Sequence, residues 1–250
     1  MVGAPASADA VRRARRMPEL GVGLHLVVVD GHPILPDTEI DGLLRGAEFD
    51  RNMVRAGFRF FFLPSVRRQL RHEIRAQFEA FRATGLRLDH VNAHKHMHVH
   101  PTVADLILEI GLDFGMKAVR VPYEPVEVLR RAFPNEHNSA RLYGSWIERL
   151  RRRLCHAGLF VNDNLFGLAW SGGMVEERLL QLVVHLPDGI NEIYLHPAAE
   201  RTPALVAAMP GYRHREEFAA LLSRSLEGQV AELGIRLGSY ADFASALTNT

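Results

Sequence analysis

Five of the chain's thirteen histidines fall within Leu88 to Val103, LDHVNAHKHMHVHPTV: His90, His94, His96, His98 and His100. Each imidazole carries two polar nitrogens that need partners when buried, so histidine at this density is rarely a packing choice. Neutral imidazole is also the commonest protein ligand for a transition metal. All five stand at even positions and would share one face of a straight strand, spread over more length than one ion can reach. One or two ligands is the sensible count, with the rest touching substrate or shaping the site. The alternative is a polar loop with the weak chelation that any histidine tract gives.

Two further histidines interrupt apolar runs. His25 lies inside Val22 to Val29, VGLHLVVV, and His196 ends IYLHP. A single histidine in an apolar strand is more often a hydrogen-bonded core residue than a ligand. His25, His94 and His196, however, occupy equivalent places in successive units, and strand ends converge on one face of a parallel barrel or sheet.

The elements that must position these groups alternate strand and helix. Val22 to Val29 reads as a buried strand, stopped by Asp30-Gly31 and Pro33. Residues 31–64 form an excursion rich in phenylalanine; Phe58 to Leu63 reads as core, or as an apolar wall for a hydrophobic ligand. Val66, Leu70, Ile74, Phe78 and Phe81 set the stripe of a helix over Val66 to Thr84, with Gly85 as its stop. The histidine strand follows, Pro101 opens a helix to Gly115, and Ala118 to Val121 is a short strand. Ser139 caps a helix with Leu142, Trp146, Leu150 and Leu154 as its stripe. A helix over Val175 to Leu186, a strand over Ile190 to Leu195, a helix over Glu216 to Leu233, a strand near Ile235 to Leu237 and a helix from Tyr240 complete the chain. Before all of these stands a helix over Ala8 to Met17. Repeated β-then-α units imply a parallel sheet, open or closed, in one α/β domain spanning 1–250.

Composition excludes several classes. At 250 residues, 47% hydrophobic and 24% charged, the chain is an ordinary globular protein. A net charge of +1 gives no global attraction to nucleic acid. The single cysteine, Cys155, rules out an internal disulfide framework and suits a reducing, cytoplasmic compartment. No apolar run is long enough to span a membrane. Glu148 to Leu154, ERLRRRL, is a basic helix face: solvated, or in contact with an anionic membrane surface.

The segments VGLHLVVVDGHPILP, LDHVNAHKHMHVHP, AVRVPYEP and EIYLHPAA, in that order, resemble successive motifs of the YdjC-like (ChbG/HpnK) carbohydrate deacetylase family, most of all its hopanoid-associated HpnK subgroup. The likeness implies an irregular TIM-like (β/α) barrel that removes an acetyl group from an N-acetylated sugar with one divalent metal ion, magnesium or zinc. It makes His25 and His94 metal ligands and places His196 near the catalytic centre. It assigns Arg120, Glu124, His96, His98 and Asn92 to substrate contacts or the site's shape. The family opens with an Asp-Asp-Phe-Gly strand that supplies a ligand and a general base. This sequence lacks that motif, so the first β/α unit is expected to be missing. Asp113 to Gly115 repeats only its last three letters, at a helix end. Asn92 stands where relatives carry aspartate and cannot replace the charge.

Amide hydrolysis needs a polarised carbonyl, an activated water and a protonated amine. The expected activity is deacetylation of an N-acetylated sugar or a hopanoid glycolipid. A catalytically inactive, truncated remnant that still binds metal weakly is the alternative, and a metal-dependent phosphodiesterase a more distant one. Peripheral membrane association and oligomerisation stay open.

Overall fold

A computed structural model describes residues 1–136 and 144–248. In chain order the elements are α1 (Ser7–Ala14), β1 (Leu24–Leu26), α2 (Asp37–Ile40), β2 (Leu44–Arg45), β3 (Glu48–Phe49), α3 (Met53–Phe62), α4 (Pro64–Ala83), β4 (Val91–Ala93), α5 (Pro101–Asp113), α6 (Val126–Ala132), α7 (Gly144–His156), β5 (Asn164–Phe166), α8 (Glu176–Val183), β6 (Asn191–Ile193), α9 (Pro203–Ala208), α10 (His214–Leu221), α11 (Arg224–Glu232) and α12 (Tyr240–Thr248). Short 3-10 segments cover Asp41–Leu43 and His94–Val99. Strand-to-helix steps recur at β1, β4, β5 and β6, but β2 and β3 form an antiparallel pair, several helices follow one another directly, and the strands are shorter than their apolar runs. The expected cap Ser139 lies outside the described residues, and no strand forms near Ile235 to Leu237. The helix expected over Glu216 to Leu233 is two helices. Their junction is Ser223, whose side chain caps α11 by accepting from the Leu226 amide.

Contacts divide the chain into two compact units, where the sequence pattern reads as one domain. The first unit comprises residues 1–120, 145–161 and 238–250. Its centre is the parallel pair β1 and β4, in register Leu24↔Val91, His25↔Asn92 and Leu26↔Ala93. Single parallel bridges, Val91↔Val119 and Ala118↔Phe160, extend the pairing. The described residues hold three two-stranded sheets and these bridges; they do not display the irregular TIM-like barrel that the resemblance implies.

Helix α4 secures the end of β1. Pro64 sits in its first turn, where a missing N–H costs nothing. Val66, Leu70, Ile74, Phe78 and Phe81 are its buried stripe. The Gln77 amide reads both backbone groups of Val27, accepting from N at 2.9 Å and donating to O at 2.7 Å. This replaces the ladder that the short strand does not provide. Glu73, fully buried, accepts from the amides of Ile34 and Leu35. Burial raises its carboxyl above the usual range, opposed by those hydrogen bonds.

The second unit comprises residues 121–144 and 162–237. β5 and β6 pair in parallel, Asn164↔Asn191 through Phe166↔Ile193. Beside them Val128, Leu129, Phe133, Phe166, Met174, Leu179, Leu182 and Ala220 form a buried cluster. Asn162 accepts from the Val121 amide and donates to the carbonyls of Val121 and Asn164, so one side chain joins three backbone groups.

Candidate active site

The histidine stretch is a strand for only three residues. After Ala93 the chain turns into a 3-10 segment in which Lys95 (φ 51°) and His96 (φ 55°) adopt left-handed backbone. The single-face reading of five even-numbered histidines therefore fails: the left-handed pair turns the side chains in different directions. A third left-handed residue other than glycine is Asp30, φ 47°, just after β1. Its carboxylate is ion-paired with the ammonium of Lys95. All three such positions in the described chain thus gather at one place. Each costs of order 1–3 kcal/mol and persists only where the surroundings enforce it, a pattern that recurs at functional sites.

The parallel register decides which histidines meet. His25 pairs with Asn92, one residue from the strand end that carries His94. The two rings stand edge to face, with centroids 5.7 Å apart. Burial drives the pKa of His25 down to about 3, against a smaller upward pull from Asn92. His25 is therefore neutral, the form that binds a metal.

The Asn92 amide controls the tautomer. With its oxygen toward His25 it accepts from Nδ1 at 2.6 Å, but its nitrogen then faces the Arg120 guanidinium, which can only donate. Turned over, the nitrogen donates to His25 Nδ1 at 2.6 Å, and the oxygen accepts from His90 at 3.2 Å and from Arg120 at 3.3 Å. The second orientation satisfies both the oxygen and the nitrogen of the Asn92 amide. It leaves the His25 proton on Nε2, so the second ring nitrogen presents an N–H and not a lone pair. Arg120 and Asn92 thus meet behind His25.

A metal site with zinc chemistry takes three or four protein ligands. Among the described residues no group of three or more His, Cys, Asp or Glu side chains is placed to hold an ion. Asp30 is the carboxylate whose charge is felt by His94, but it is held by Lys95 and lies 3.4 Å from Nε of Arg51. The hydrogen bond from Lys95, foremost, keeps the Asp30 carboxyl below the usual range. The residues present therefore do not fit a complete metal centre.

The other histidines divide. His98 is 1% exposed, and neither ring nitrogen has a hydrogen bond of good geometry among the described residues. Burial holds its pKa well below the usual value, with the Arg120 backbone pulling the other way. His96 stands edge to face with His98, centroids 6.0 Å apart. His90 is structural: it stacks on Tyr240 at 4.5 Å and pairs with Asp89 at 2.9 Å. His100 lies against Phe60 and Phe61 of α3.

In the second unit, Glu124 accepts from the amides of Gly167, Leu168 and Ala169 at 2.8 to 2.9 Å, using both carboxylate oxygens. This binds it to the loop after β5. His196 follows β6 and is held through its backbone: its amide donates to buried Glu217 at 2.6 Å, and its carbonyl lies 2.6 Å from Nδ1 of His214. Its ring meets Tyr194 and Tyr212, centroids 5.4 and 5.0 Å away. Sequence reasoning missed Glu217, His214, Asp30 and Lys95. Glu217 falls inside the helix expected over Glu216 to Leu233 and His214 just before it, with nothing in the pattern to single them out. Only the Asp-Gly after an apolar strand marks Asp30, and it marks a turn.

Residues 1–232 match the model of the YdjC-like protein family. The chain is 28% identical over 246 residues to a carbohydrate deacetylase of Geobacillus stearothermophilus, covering 97% of this chain and 84% of that one. It is 36% identical over 116 residues to a carbohydrate deacetylase of Vibrio cholerae, covering 44% and 42%. A crystal structure from Enterococcus faecalis, titled as that of a candidate cellobiose-phosphate cleavage protein, superposes with a TM-score of 0.71 at 20% identity, over 97% of this chain and 85% of that one.

Proposed function

The chain belongs to the YdjC-like family, and from that premise we propose that it is a carbohydrate deacetylase, hydrolysing the acetamide of an N-acetylated sugar. The observation that supports the reading is the meeting of His25 and His94 across the β1–β4 register, within a family match that runs through residue 232. A hopanoid glycolipid is a more specific substrate, carried by the likeness of the histidine motifs alone.

His94, half-buried, follows the end of β4 and is proposed to face the substrate carbonyl. Asn92 and Arg120 orient His25 from behind, and buried His98 and half-buried His96 shape the wall. A general base works best with a pKa near the working pH. His25, with a pKa of about 3, and Asp30, held below the usual range, are both too weakly basic for that task. His196 is proposed as the proton donor to the leaving amine. Glu124 is proposed to act on substrate through the loop it binds and not by direct contact. His25 and His94 would offer two imidazoles to the expected divalent ion, magnesium or zinc, and no group of three or more His, Cys, Asp or Glu donors is gathered among the described residues. Metal binding by this pair is proposed to be weak, and no chemical step is assigned to it.

One observation favours a second reading, a chain that keeps the fold without turnover: no three-donor ligand group is gathered. Acetate release from di-N-acetylchitobiose, with and without added zinc or magnesium, separates the two. Release that is lost in His94→Ala and His25→Ala supports the deacetylase. Release unchanged in both variants removes these histidines from the reaction. No release under any condition leaves the second reading.

A further inference from the structure

We infer that the first unit carries a docking face for an anionic lipid surface, formed by α3 and α7 on either side of the turn at Val99 to Ala104. The phenylalanines of α3 were expected in the core. Only Phe60 is buried; Val54 is 83% exposed, Phe58 62% and Phe62 57%, and Phe61 is exposed as well. Positions 54, 58, 61 and 62 recur at helical spacing, so they form one apolar stripe. The rings pack on one another in the open, Phe58 on Phe62 at 4.4 Å and Phe61 on Phe62 at 4.9 Å. Exposed Arg67 reaches back to the carbonyls of Phe60 and Phe61 and edges this cluster with positive charge.

The second part is α7. It carries Arg149, Arg151, Arg152 and Arg153 against one acidic residue, Glu148, a net charge of +3 over thirteen residues. Trp146, one turn before Leu150, is 49% exposed. Trp146, Arg149, Leu150 and Arg153 line a shallow depression together with Val99, Pro101 and Ala104. The next residue in that turn, His100, lies against Phe61 with centroids 6.4 Å apart, and a side chain at Gly57 of α3 would meet its ring at 3.2 Å. One turn of chain therefore joins the aromatic stripe to the arginine helix.

Clustered aromatics with arginine beside them are the chemistry of the membrane interface. The rings enter the headgroup boundary while the guanidinium groups meet lipid phosphate. No described helix is long and apolar enough to cross a membrane, so the contact is peripheral. A second copy docking by the same face would bring its own arginines toward those of the first, whereas an anionic surface neutralises them. The inference does not depend on the deacetylase reading.

Co-sedimentation of the full chain with phosphatidylcholine vesicles and with equal mixtures of phosphatidylcholine and phosphatidylglycerol tests it. Binding is expected on the anionic vesicles, weakened by high salt. Each basic residue near an anionic surface is worth about fivefold in affinity, so Arg149→Glu/Arg152→Glu should reduce binding by more than about 25-fold. Phe58→Ser/Phe62→Ser should reduce it further, with an unchanged circular dichroism spectrum for these surface variants. Equal binding to both vesicles, or none to either, overturns the proposal. A dimer in light scattering that Phe58→Ser/Phe62→Ser dissociates, with no vesicle binding, assigns the face to a second copy and also overturns it.

Discussion

The side-chain amide of Asn92 lies 2.6 Å from Nδ1 of His25, and the way it faces decides which ring nitrogen of His25 carries the proton. Arg120 turns the oxygen toward itself, which leaves Nε2 protonated. Asn92→Asp removes the choice. A carboxylate accepts from both Arg120 and Nδ1–H, freeing the Nε2 lone pair. Groups behind a metal-binding histidine typically alter affinity by about 10–100-fold. Zinc affinity, read by competition with a chromophoric chelator, should therefore rise by at least about tenfold in Asn92→Asp. Unchanged affinity would dissociate the amide from the ligand state of His25.

Buried histidines make stability depend on pH. The ordinary pKa of His25 is 6.5 and its folded value about 3. Below pH 6.5 the unfolded chain takes up a proton that the folded chain refuses, so stability falls as the solution is acidified, until about pH 3. The loss from His25 is about 2 kcal/mol at pH 5, and His98 adds in the same direction. The urea midpoint should drop steadily below pH 6.5, and His25→Asn should flatten the slope. A midpoint constant from pH 7 to pH 4.5 would contradict this account.

Gly172 holds φ +80°, and a Cβ there would lie 2.2 Å from the Tyr212 ring. Tyr212 in turn meets the His196 ring edge-on. Gly172→Ala must displace that ring and strain the backbone, at a cost of about 2–4 kcal/mol. Thermal unfolding should reveal the loss. Acetate release should fall with it if His196 is the proton donor.

Glu124 holds three amides, two of them on buried residues, in the loop after β5. Hydrogen bonds to a charged acceptor are worth about 1.5–3 kcal/mol each and are not additive. Glu124→Ala should cost about 3 kcal/mol by urea unfolding. A loss of sugar binding with unchanged stability would instead make Glu124 a direct contact.

Much of the site was legible in residue types and spacing. His25, interrupting the apolar run VGLHLVVV, and His94, ending the strand at VNA, stand out as polar residues, and the register of β1 on β4 brings them together. The five-residue apolar stripe of α4 was legible because the helix buries that stripe and nothing overrides it. The strand lengths were not. Apolar residues through Val29 are buried without a ladder, because Gln77 satisfies the Val27 backbone from α4.

By itself the sequence determined the mixed α/β character, the helix stripes and the chemistry of the histidines, because these depend on local periodicity and residue type. Tertiary structure alone decided which histidines share a site, which way Asn92 faces and whether Phe58 and Phe62 are covered. Those outcomes depend on strand register, on left-handed turns at Asp30, Lys95 and His96, and on the neighbours available at long range. None of these is carried by the spacing of residues along the chain.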